Sequence, residues 1–61
     1  MAWVYGDVFE FDLKKDYIDI KRGHYILKAI GFCPYAIEFV LPNEKKIDIS
    51  YSDMDNLKEL N

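Results

Sequence analysis

A single cysteine, Cys33, and a single histidine, His24, are all the thiol and imidazole that this 61-residue chain carries. The lone thiol excludes an internal disulfide, and one Cys with one His cannot furnish the four-ligand shell of a structural zinc site. A domain this short buries only about 60% of the surface that its unfolded chain exposes, so its stability is marginal. Disulfides, a structural metal and oligomerisation are the usual supplements. With the first two excluded, a homo-oligomer is the expectation. No cofactor motif is present and none is expected.

Long apolar runs are missing too. Nothing approaches the ~20 residues of a bilayer-spanning helix, and the N-terminal MAWVYGDVFEFD has neither a basic n-region nor a long apolar h-region. No membrane association is expected, and the expected compartment is the cytoplasm, where a free Cys stays reduced. Positive charge is also short. The 11 acidic residues outnumber the 8 basic ones, for a formal charge of −3. Nucleic acid is a disfavoured partner on that account, because binding a phosphate backbone needs clustered cations. Lys exceeds Arg 7 to 1, the skew of an AT-rich coding sequence. A low-GC bacterium or one of its phages is the expected source, and a complete small open reading frame fits both.

What the chain has in abundance is apolar surface, with 51% hydrophobic and 16% aromatic residues. Trp3, Tyr5, Phe9, Phe11 and Leu13 share one parity, opposite Glu10 and Asp12, which predicts a half-buried first strand over residues 3–13. Gly6-Asp7 marks a bulge or bend within it. After a polar turn at Lys14-Lys15-Asp16, residues 17–21 alternate again and predict a short second strand. Arg22-Gly23 punctuates the chain. Residues 24–32 form the third strand, with Ile26, Ile30 and Phe32 on one face and Tyr25, Leu27 and Ala29 on the other. A strand apolar on both faces is central to a closed structure or half covered by a partner. Lys28 interrupts the Ile26/Ile30 face and directs it towards an edge, a groove or a subunit boundary.

Cys33-Pro34 turns the chain into a fourth strand, 35–41, and Pro42 to Lys46 leads to a fifth, 47–51. Setting Leu41 opposite Ile47, Phe39 opposite Ile49 and Ile37 opposite Tyr51 makes one hairpin face wholly apolar and the other mostly polar. Ser52-Asp53-Met54-Asp55 has the spacing of a capping box and predicts a short C-terminal helix, Asp53 to Leu60, with Met54 and Leu57 inward. The fold class is thus mainly β: one domain over residues 1–61, a small five-stranded antiparallel barrel or curved sheet, SH3-like or OB-like in kind, closed by that helix.

No catalytic constellation accompanies these elements. Cys33 and His24 could serve as nucleophile and base only with a third group that nothing signals. Asp53 to Asn56 resembles the start of a calcium loop but lacks its glycine and distal glutamate, and a helix N-terminus accounts for the same acids. The surplus aromatics carry the functional reading. Tyr and Trp anchor interfaces because each offers a large apolar body with a polar handle, so Trp3, Tyr5, Tyr25 and Tyr35, with Lys28, are the candidate partner-binding residues. The expected function is a non-enzymatic interaction module that binds and regulates or inhibits another protein. The alternative is a binder or sponge for a nucleotide-like anion at subunit boundaries, held by Lys14, Lys15, Lys21 and Arg22 with Tyr17 for stacking. The bland reading of that basic corner is lysines guarding an edge strand against mispairing.

Overall fold

The computed structural model describes residues 6–60. Alternation acts as expected in β1 (Val8–Leu13), where Phe9, Phe11 and Leu13 are buried on one face. β2 (Gly23–Phe32), β3 (Ala36–Val40) and β4 (Lys46–Ser50) follow as antiparallel neighbours. A 3-10 turn, Tyr51–Asp53, then delivers β5 (Met54–Leu60) to the free side of β1. The result is one five-stranded sheet in the order β4-β3-β2-β1-β5.

The sheet is curled but does not close into a barrel, because no ladder joins its edge strands β4 and β5. Connectivity forces the curl. In a flat sheet those edges would lie four strand spacings apart, roughly 19 Å, yet only Tyr51–Asp53 separates Ser50 from Met54, a reach of no more than about 14 Å. Curling brings one face inward as the core: Phe9, Phe11, Leu27, Ala29, Ile37, Phe39 and Ile49, flanked by Leu13, Leu41, Ile47 and Met54. Phe39 sits at its centre, stacked on Phe11 at 5.1 Å and edge-on to Phe9 at 6.3 Å. Burying such a ring contributes about 1.5–3 kcal/mol.

The predicted C-terminal helix is not formed; those residues are the 3-10 turn and β5. The open side of β1 needs a strand, and its ladder satisfies the backbone of both. Along β5 the register slips between Glu10 and Asp12, with Asn56 at φ 56. One extra residue there resets the alternation, so Met54 and Leu57 reach the core face three residues apart, a spacing that imitates a helix.

The predicted second strand, 17–21, is also absent, since those residues are loop. The Tyr17 N–H donates to the Ile20 carbonyl at 2.7 Å, which folds the segment on itself. Tyr17 and Ile20 pack against the core. The third strand keeps Ile26 half-exposed on its outer face but does not keep Phe32 there, because a bulge between Ala29 and Gly31 carries Phe32 round to pair with Ile37, where its ring lies 6.0 Å from Phe9. Gly6 and Asp7 make the expected bulge: the Gly6 N–H donates to the Ala29 carbonyl and the Ala29 N–H to the Asp7 carbonyl, with Gly6 at φ 86.

The second hairpin has the predicted faces and a register two residues away from the predicted one. Phe39 pairs with Ile47 and Ile37 with Ile49. The cause is a tight turn, in which the Glu44 N–H bonds the Leu41 carbonyl, the Leu41 N–H bonds the Lys45 carbonyl, and Glu44 adopts φ 69. This is a three-residue loop with its αL residue last, and Pro42 supplies the fixed φ that its first position favours.

Candidate functional site

The loop from Lys14 to Arg22 is pinned at several points along its length. The Lys14 N–H donates to the Asp53 carbonyl at 2.8 Å. The Arg22 N–H donates to the Asp16 carboxylate at 2.8 Å and holds that carboxyl below its usual pKa. Lys45 reaches Asp19 at 3.5 Å. Tyr17 enters the gap between the sheet edges, where its hydroxyl donates to Asp53 Oδ2 at 2.6 Å and accepts the Ser50 N–H at 3.1 Å. Burial, followed by the Asp53 hydrogen bond, raises the Tyr17 pKa and keeps that hydroxyl a donor. Between these fixed points Ile18 is 99% exposed. A lone exposed aliphatic side chain is ordinary. One presented by a loop already held in place would lose little further backbone entropy on being covered.

The same loop forms a wall of a cleft of about 340 Å³. Asp19 and Ile20 line it from the loop, Leu41, Pro42 and Asn43 from the tip of the β3–β4 hairpin, and the first half of β2 forms its floor. On the outer face beside it, His24 is clamped between two carboxylates, Nδ1 at 2.7 Å from Asp12 and Nε2 at 2.7 Å from Glu10. Both partners are acceptors, so only the imidazolium satisfies both bonds. The hydrogen bond to Asp12 and then that to Glu10 raise the His24 pKa, and Asp12 is lowered by His24 and by Asn56, whose Nδ2 donates to it at 2.9 Å. Lys58 approaches Glu10 at 3.5 Å. Cys33 lies beyond the other end of β2 from His24, nine residues along an extended chain and so at most about 30 Å away at about 3.3 Å per residue.

Among the described residues, those singled out by sequence lie at separate places on the sheet and its turns. Trp3 and Tyr5 lie outside the described residues. Tyr25 is half-buried against Phe11, with its hydroxyl on the Lys21 carbonyl. Lys28 is exposed on the outer face, in a cross-strand row between Val8 and Val40. Tyr35, 75% exposed, sits in the β2–β3 turn at the far end, its carbonyl accepting the Tyr51 N–H. Of the basic corner, Lys14 pairs with Asp55 at 3.4 Å and Arg22 with Asp16 at 3.6 Å, while Tyr17 is committed to the gap between the edges. Sequence reasoning missed Ile18 and the cleft. The signal for Ile18 was the alternation of residues 17–21 itself, which would have demanded a partner strand that the chain does not supply.

Comparison with protein-family models, curated proteins and solved structures finds no match for this chain.

Proposed function

We propose that the chain is a non-enzymatic interaction module that binds another protein and thereby regulates or inhibits it. The observation that carries this reading is Ile18, wholly exposed on a loop held by Tyr17, Asp16 and Asp19. An apolar anchor that is rigid before contact is the kind of group around which interface energy concentrates. The strand order supports the SH3-like of the two kinds of small β fold, since a meander with its last strand returned to β1 differs from the Greek key of an OB-fold. The module is expected to act as a homo-oligomer, with Lys28 of the outer face at the subunit boundary.

Capture from a lysate of the source cell tests the reading. Immobilised native chain should retain a protein that Ile18→Asp releases, while the two chains unfold at the same urea concentration. Retention that ignores the substitution overturns the role of Ile18. Light scattering at micromolar concentration checks the oligomer, which a clean monomer would refute.

A further inference from the structure

We propose that the cleft beside β2 is a strand-addition site that takes an extended peptide segment of a partner protein. Along β2, successive residues turn their backbone groups to opposite sides of the strand. Ala29 exchanges hydrogen bonds with Gly6 and Asp7 on the β1 side. By the alternation of an antiparallel ladder, Leu27 and Tyr25 also face β1, while Lys28, Ile26 and His24 turn N–H and C=O towards β3. Lys28 meets Val40 there, and the β2–β3 ladder ends at that pair. One pair further the register would set Ile26 opposite Pro42, which has no N–H to give. At that point the hairpin turns away. Among the described residues, no backbone hydrogen bond is made on that side by Ile26 or His24.

β2 therefore runs past β3 with an open edge over His24 to Leu27, roughly 13 Å at about 3.3 Å per residue. Those same four residues line the cleft. The spacing decides the occupant. Two N–H and C=O sets, two residues apart along a strand, are met together by an extended backbone; a small anion engages only donors, and a helix has already satisfied its own groups. Side chains of an added strand would alternate between the two faces. On the core side they would meet Tyr25, Leu27, Ile20 and Leu41, so every second residue of the segment is apolar. On the outer side they would lie beside His24 and Ile26. The inference rests on the protein-binding reading and deepens it, since the loop that carries Ile18 also contributes Asp19 and Ile20 to the cleft.

A library of random nine-residue peptides, displayed on their encoding messenger RNA and selected against the intact chain, supplies the probe. Enriched peptides should alternate apolar residues. Titrated by amide NMR, one of them should protect the Ile26 and His24 amides from exchange at least tenfold and leave Leu27 unchanged. N-methylation of the peptide at the residues facing β2 should weaken binding at least tenfold, and methylation of the alternate residues less than twofold, a contrast that requires no variant of the chain to fold. Absence of enrichment, equal effects of both methylation patterns, or protection mapped elsewhere overturns the site. So does protection of the same amides by dimerisation alone, which would make a second copy the occupant. The two proposals fail separately. Ile18→Asp should leave peptide affinity within twofold, so partner capture that ignores Ile18→Asp beside intact peptide binding removes only the role of Ile18, and capture lost on Ile18→Asp without peptide enrichment removes only the cleft.

Discussion

The Tyr17 hydroxyl donates to the Asp53 carboxylate at 2.6 Å across 36 residues of sequence, and the same oxygen accepts the Ser50 N–H. One side chain thus connects the long loop, the end of β4 and the 3-10 turn at the place where the sheet stays open. The end of β4 and the turn that leads to β5 both lean on it.

Tyr17→Phe should consequently cost about 1–3 kcal/mol, the penalty of leaving the Ser50 N–H and the Asp53 carboxylate without that partner. In a domain of this size each kcal/mol lowers Tm by about 4–8 °C. Thermal and urea unfolding measure the loss. Hydrogen exchange should show the Ser50 amide losing protection before those of Phe9 and Phe39, and an unchanged Tm would mean that the bridge contributes nothing.

How far the sequence revealed this arrangement depends on what each pattern determines. The faces of the second hairpin were legible because a one-residue slip would bury Glu38 or Asp48. Its register was not, because the slip of two from the predicted pairing to Phe39↔Ile47 preserves every face. Tight turn geometry decided it instead. β5 was illegible for a different reason: Met54 and Leu57 share a face in a helix by its period, and in this strand by the bulge at Asn56. Phe32 follows the same logic in β2, and Ile18 stands out only once its neighbours are seen to be pinned.

Asn56 offers a direct test of that account. At φ 56 it occupies the αL region that Asn and Gly tolerate and β-branched residues do not. Asn56→Val should destabilise by about 1–3 kcal/mol. Asn56→Gly should stay within about 1 kcal/mol of the native chain, losing the hydrogen bond to Asp12 but not the backbone conformation. Urea denaturation of both variants reads the difference. Equal costs would show that the side chain, not the bulge, is what matters at this position.

Glu44 is the opposite case, a residue in the αL region without the side chain suited to it. Its strain should be relieved by Glu44→Gly, which gains about 1 kcal/mol at the end of a turn built for glycine. The urea midpoint should rise. A fall would mean that the entropy of the more flexible unfolded chain outweighs the relief.

The clamp of Glu10, Asp12 and His24 predicts how stability responds to pH. The folded pKa of His24 lies above its ordinary value of 6.5, so protonated His24 stabilises the fold fully below that value and the contribution disappears as pH rises through the folded pKa. Asp12 is shifted the other way from 3.8. Its contribution is complete above that value and is lost as pH falls through the lower folded pKa. Groups facing the ring from neighbouring elements, Lys58 and Asn56 on β5, keep Glu10 and Asp12 in place across this range. Unfolding free energy measured from pH 3 to 9 should therefore decline on the alkaline side, beginning above about 6.5. His24→Gln should flatten that decline and leave the acid side with a reduced Asp12 contribution. A native profile with no change between pH 6 and 9, or an imidazole that titrates by NMR at or below its ordinary value, would show that the two carboxylates do not hold the proton.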